Sequence, residues 1–404
     1  MKRHAVAGAA PGRPWTRRRR AVTLPVMHTP PSAPGFAPAK AVPGIPPAAY
    51  HDPAVFAVEE ERIFRRCWVF AGFTDDLAKS GDWLTRRIGG LDVVVRNFDG
   101  ELRAFRNVCA HRFAIIKREP RGNGLLRCGY HGWTYDRDGV PYGIPGNDAF
   151  FGLDKAGRCK RALTPVAVAA CGRFLFLRIA AEGPTLEDWL GPYGEVLRHA
   201  SDIFVRSFDE QEMVWNANWK MGVESVLEVY HADTVHPTTF RKLVKGDWRC
   251  DHAGAHSRGV TSVSDQSARW WDGVAKRLDF RPSERLRDYD HLHIFPNLEI
   301  GFTRGLVMSV QSYDPLDPAR CALRLRLFLA DPGGLDGGGK GGSAARRVIE
   351  DTARDLNVAL LREDQEESEQ AFRGVRQTDA PALLGLNEER IQQFHAVWRD
   401  AVGR

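Results

Sequence analysis

The chain has 404 residues, 43% of them hydrophobic and 10% aromatic, which is enough for more than one core, so two domains are expected. The formal net charge of +6 is concentrated in residues 1–20, where Lys2, Arg3, Arg13 and Arg17 to Arg20 meet no acid; the rest is near neutral, which argues against a nucleic-acid or membrane-surface partner. Seven scattered cysteines argue against a disulfide scaffold and fit reduced thiols in a cytoplasmic protein.

Residues 1–45 read as a disordered leader rich in Pro, Ala and Arg. Arg17–Arg20 before Ala21–Leu24 looks like an export signal, but Pro25, Pro30, Pro31 and Pro34 interrupt the apolar core such a signal needs. Met27 is a second candidate start, and no window approaches the ~18 apolar residues of a membrane span. A first, all-β domain is expected over 46–180. Residues 53–67 form a short amphipathic helix. Period-two runs then follow at Trp83–Thr85, Leu91–Val95, Leu102–Phe105 and Arg173–Leu177, with Asp99-Gly100 as a hairpin turn. They predict a small antiparallel sandwich or barrel. Thr185–Leu197 is a helical connector. The second domain, 181–404, mixes a helix at 218–232, strands at 291–314 and 320–330, a glycine loop at 333–343, and amphipathic helices at Ala345–Arg373 and Glu388–Val402. This is an α+β pattern of an antiparallel sheet packed by helices.

Two hooks carry chemistry in the first half: Cys109-Ala110-His111 and Cys128-Gly129-Tyr130-His131, with sixteen residues between them. Each pairs a thiolate with an imidazole, so together they can offer two sulfurs to one metal and two nitrogens to another, the ligand set of a Rieske [2Fe–2S] centre. A structural Cys₂His₂ zinc site is the alternative, but zinc hooks usually pair like with like. The remaining cysteines, Cys67, Cys159, Cys171, Cys250 and Cys321, are expected to be buried structural thiols. The flanks, Arg106-Asn107-Val108 and Gly132-Trp133-Thr134-Tyr135, resemble the Rieske domains of ring-hydroxylating oxygenases. That resemblance implies that His111 and His131 ligate one iron and Cys109 and Cys128 the other.

In the second half Glu224, Glu228 and His231 fall at i, i+4 and i+7, one face of the predicted helix. His236 lies five residues past His231, so the helix must bend or end for both rings to meet one metal, and Pro237 fits a break there. Two histidines and a carboxylate make the facial triad of non-haem Fe(II) oxygenases. Asn218–His236 resembles the iron motif of Rieske oxygenase α subunits, which implies that His231 and His236 are ligands. The third ligand implied by the late acidic motif is Asp364, with Glu363 and Glu367 as rivals. The likeness also includes Ile294–Leu298, and it implies a helix-grip catalytic domain.

The same resemblance implies a terminal oxygenase component that uses O₂ and a mononuclear Fe(II). Electrons come from NADH through a separate NAD(P)H-dependent reductase, with or without a ferredoxin, since no dinucleotide fingerprint occurs in the chain. It implies a head-to-tail homotrimer in which Glu228 connects the iron to a cluster histidine, His111 or His131, of a neighbouring subunit. Many family members have Asp there; Glu is shared with the branch acting on quaternary ammonium compounds. The expected substrate is an aromatic ring to be mono- or dioxygenated, and the alternative is a quaternary ammonium or other N-methylated compound. For the alternative, Trp270, Trp271, Phe302 and Phe328 are candidate cage residues.

Overall fold

The computed structural model describes residues 33, 35–277, 283–330 and 342–403. A first antiparallel sheet comprises β1 (Val69–Phe73), β2 (Asp82–Ile88), β3 (Leu91–Phe98), β4 (Glu101–Arg106), β5 (Arg121–Asn123), β6 (Pro165–Cys171) and β7 (Phe174–Arg178), ordered β1-β7-β6-β4-β3-β2-β5. The β3–β4 hairpin turns at Asp99 (φ 56°) and Gly100 (φ 95°), both left-handed as a two-residue turn of matching twist requires. On β3, Val93 and Val95 face the main core, whereas Val94 faces a smaller core with Cys109, Cys128, Trp133 and Tyr135. That second core is the floor under both Cys/His hooks.

The second sheet comprises β8 (Arg206–Trp215), β9 (Arg249–Ala253), β10 (His256–Thr261), β11 (Tyr289–Ile294), β12 (Leu298–Thr303), β13 (Val307–Asp317) and β14 (Arg320–Leu329), ordered β8-β14-β13-β12-β11-β10-β9. The principal helices are α1 (Pro53–Glu59), α2 (Trp219–Leu227), α3 (Gly342–Val375) and α4 (Glu389–Val402). α2 packs on β13, β14 and α3, so the sheet is covered on the face that carries the second constellation. One apolar core runs from Phe174–Leu177 in the first sheet to Trp215, Leu323 and Trp398 in the second half.

Two expectations change, and a third falls largely outside the described residues. Val42–Pro43, inside the expected leader, pairs with Leu383–Leu384, and Ile45 is buried; a long-range partner orders a stretch whose composition alone reads as coil. The glycine loop falls outside the described residues over 333–341, and Gly342 already belongs to α3. Most important, the helix expected over 218–232 stops at Leu227. Glu228 is extended (φ −136°, ψ 170°), and its carboxylate accepts the backbone N–H groups of Tyr230 and His231, which caps a new turn instead of prolonging the old one. Glu224, Glu228 and His231 therefore do not form one helical stripe.

α2 is held at its base by a sealed ion pair. Glu59 accepts from Lys220 Nζ at 2.6 Å, Trp398 Nε1 at 2.7 Å and Trp219 Nε1 at 3.0 Å. All four residues are fully buried. Removing one partner of such a pair leaves an uncompensated charge. Glu59→Ala should lower the unfolding free energy by about 3–5 kcal/mol in a denaturant titration; an unchanged midpoint would show that the clamp carries no weight.

Candidate metal centres

The two hooks have matching backbones. Cys109 N–H donates to Ala114 O and Phe113 N–H to Cys109 O (2.8 and 3.0 Å); Cys128 N–H donates to Trp133 O and Gly132 N–H to Cys128 O (2.8 and 3.0 Å). Phe113 (φ 61°) and Gly132 (φ 73°) occupy the same left-handed position in each loop. The thiols of Cys109 and Cys128 are buried, and the Cys109 Sγ lies 3.0 Å from the Tyr135 hydroxyl, which also accepts from Ala110 N at 3.0 Å. Outside them the His111 and His131 rings lie 4.5 Å apart, His111 stacked on Trp133.

This arrangement fits a cluster with segregated ligands: sulfurs inside, nitrogens outside, and a buried His111 Nδ1 with no protein partner. Burial, then the nearby His131 and Arg112, push His111 below its ordinary value, which keeps the ring neutral as a ligand must be. Of the other cysteines Cys67, Cys171 and Cys321 are buried, as expected, but Cys159 is exposed and Cys250 half-buried.

The second centre forms where α2 ends. Asp364 Oδ1, projecting from α3, lies 2.9 Å from His236 Nε2 and 3.5 Å from His231 Nε2. One donor atom from each of the three residues lies within 4.8 Å of the others, which is compatible with a single ion. Behind the rings, Glu228 contacts His231 Nδ1, and Glu363 contacts His236 Nδ1 at 2.6 Å while accepting from Thr239 Oγ1 at 2.8 Å. Glu363 thus stands behind a histidine, and Glu367 lies on a separate outer cavity. Glu224, removed from the stripe, accepts from the Tyr50 hydroxyl at 2.8 Å and meets His395 Nε2 at 2.9 Å.

Two cavities meet at Asp364, sharing also Ser225, Glu228 and His231. The inner one, about 80 Å³, is walled by Phe240, Trp248 and Tyr289 and carries Gln311 and Asn357. The outer one, about 520 Å³, includes Glu224, Glu367 and apolar residues such as Met221 and Ile391. The expected cage is elsewhere: Trp270 is 44% exposed, Trp271 is buried without lining either cavity, Phe302 packs on Phe204, and Phe328 meets Phe73. The aromatic wall of the inner cavity gave little local signal, because its members come from three separate segments.

Two donor sets of this kind in one chain define a protein built around two metal centres. Residues 67–164 match the model of the Rieske [2Fe-2S] domain, and residues 201–404 match that of the ring hydroxylating alpha subunit (catalytic domain). The chain belongs to the family of Rieske oxygenase α subunits, whose catalytic domain binds mononuclear iron. Sequence relatives include the glycine betaine monooxygenase oxygenase subunit of Chromohalobacter salexigens, 34% identical over 56% of this chain and 50% of that one. The N,N-dimethyl phenylurea N-demethylase subunit alpha of a Sphingobium species is 32% identical over 48% and 43%. The chain spans about half the length of the relatives it matches by sequence. In fold it is similar to the quaternary ammonium Rieske monooxygenase CntA in complex with L-carnitine (TM-score 0.70, 21% identity, 88% of this chain and 95% of that one). It is also similar to naphthalene 1,2-dioxygenase from a Rhodococcus species (TM-score 0.63, 23% identity, 90% and 94%). Among the described residues no helix is long and apolar enough to cross a membrane.

Burial opposes a charge on His231, but its bonds to Asp364 and Glu228 outweigh that and raise the imidazole to about 10. A raised value in the folded state adds stability below the ordinary value of 6.5 and loses it as the pH rises through about 10. Metal-free protein should therefore melt at progressively lower temperature as the pH rises from 7 towards 10. His231→Gln should flatten that profile, as followed by thermal unfolding.

Proposed function

We propose that this chain is the terminal oxygenase component of a multicomponent system, acting on the methyl groups of N-methylated compounds. His231, His236 and Asp364 would hold the iron, and Cys109, Cys128, His111 and His131 the cluster. When bound, the cluster supplies electrons singly and the iron activates O₂. The chain's own part is orientation: Glu228 and Glu363 each occupy the far nitrogen of one imidazole, leaving both Nε2 atoms towards Asp364. In the overall reaction a C–H on carbon bonded to nitrogen becomes C–OH. The second oxygen atom leaves as water, balanced by two protons and two electrons from a separate NAD(P)H-dependent reductase, with or without a ferredoxin. The N–C(OH) unit then breaks to an amine and an aldehyde.

The observation that carries this reading is the inner cavity. At about 80 Å³ it has roughly half the volume of an engineered 150 Å³ cavity that takes up benzene, so it fits a methylated nitrogen head better than a fused ring. Phe240, Trp248 and Tyr289 give that head an aromatic wall, which suits cationic or neutral N-methyl groups. Hydroxylation of an aromatic ring remains within the family's chemistry and is the second reading.

We also propose a head-to-tail homotrimer. Residues 67–164 carry sixteen Lys and Arg against eleven Asp and Glu, whereas 201–404 carry twenty-seven against thirty-two. The hook tip exposes Phe113 (82%) and Tyr130 (55%), and the outer cavity offers apolar walls with Glu224, Glu228 and Glu367. Opposite charge and matched apolar surface favour the tip of one copy in the outer cavity of the next. Glu228 would then lie at the contact between centres. A cytoplasmic location accords with the unpaired cysteines among the described residues.

NADH-coupled oxygen uptake with a compatible reductase should show turnover, with formaldehyde released, on N-methylated compounds, and little on naphthalene; the reverse preference would restore the aromatic reading. Metal analysis tests the ligands. Asp364→Ala should lose mononuclear iron and keep the cluster spectrum, Glu363→Ala should weaken iron binding by about 10–100-fold, and Glu367→Ala and Glu228→Gln should retain both metals. Iron lost from Glu367→Ala but not from Asp364→Ala would reassign the carboxylate.

A further inference from the structure

The inner cavity presents two amide side chains whose orientation is set by their other bonds. Asn357 lies on α3 seven residues before Asp364, so both occupy one face of the helix. Its Nδ2 donates to Ala353 O at 2.8 Å, which fixes the amide and leaves Oδ1, an acceptor, for the cavity. Gln311, on β13, accepts from the Tyr313 hydroxyl at 3.2 Å through Oε1, which leaves its NH₂ group, a donor. Both line the same space as His231 and Asp364, together with Ser309, Thr303 and the aromatic wall.

We propose that Gln311 and Asn357 are specificity-determining residues that read a neutral N-methyl amide or urea, Gln311 donating to its carbonyl and Asn357 accepting from its N–H. This rests on the N-methyl reading above and narrows it. A urea of the N,N-dimethyl class has one carbonyl acceptor and an N–H donor on the nitrogen that is not methylated, so it satisfies both amides at once. A quaternary ammonium carboxylate has no N–H. It leaves Asn357 Oδ1 unpaired and brings a negative oxygen near it, a mismatch that a site built from hydrogen bonds rejects strongly. Tyr289, Trp248 and Phe240 then pack against the methyl groups.

The test uses the iron- and cluster-loaded enzyme and three small probes: N,N-dimethylurea, glycine betaine and tetramethylammonium. Equilibrium binding is read by calorimetry and turnover by oxygen uptake. Wild type should bind N,N-dimethylurea about ten-fold or more tighter than glycine betaine, the worth of one buried unpaired polar group. Gln311→Met and Asn357→Leu, close in shape to the originals, should each weaken N,N-dimethylurea about ten-fold with unchanged metal content. Affinity for tetramethylammonium, which makes no hydrogen bond, should stay level. Equal loss for N,N-dimethylurea and tetramethylammonium would make the two residues structural and overturn the proposal, as would tighter wild-type binding of glycine betaine. Oxidation of tetramethylammonium with no discrimination among the three probes would sink the amide pair while leaving the N-methyl reading standing. Failure of all three to bind would remove that reading itself.

Discussion

A single carboxylate, sealed from water, organises the catalytic half. Glu59 ends α1, far along the chain from its partners, yet it takes the ammonium of Lys220 and the indole N–H groups of Trp219 and Trp398. Those donors sit at the start of α2 and inside α4, so one charge fixes three distant segments together. An isolated buried carboxylate is very costly, and its partners are retained because any one of them lost exposes that cost. Everything at the iron centre follows from where α2 begins and stops. Were α2 free to slide, Glu228 could not cap the turn that carries His231, nor could His231 and His236 converge on Asp364.

Candidate ligands were legible in the sequence wherever they sit close together along the chain. Cys109-x-His111 and Cys128-x₂-His131 display their donor types and spacing directly, and the structure puts both hooks on one floor. His231 and His236 were legible for the same reason. Asp364 lies 128 residues from His236 in an acidic run, so local pattern alone could not separate it from Glu363. Only the geometry divides them: Asp364 faces the Nε2 atoms and Glu363 the back of one ring.

The misplaced helix end has a physical cause, competition between helix propagation and local polar bonds. Periodicity carries a helix through Glu228, but the carboxylate of Glu228 offers the backbone of Tyr230 and His231 a better partner. The aromatic wall was missed for a different reason. Phe240, Trp248 and Tyr289 become neighbours only because β9, β10 and β11 are adjacent in the sheet and the segment before β9 folds back over them. Sequence distance hides such sets, and the tryptophan pair Trp270-Trp271 drew attention merely by being contiguous.

The two cavities that meet at Asp364 make that side chain a boundary between two spaces. Their linings share Ser225, Glu228, His231 and Asp364, and both draw further residues from α2 and α3, whereas Phe240, Trp248 and Tyr289 wall only the inner space and Ile45, Tyr50 and Ile391 only the outer one. Asp364 and Glu228 are the two carboxylates that both linings share, so they are the natural points at which occupancy on one side is felt on the other.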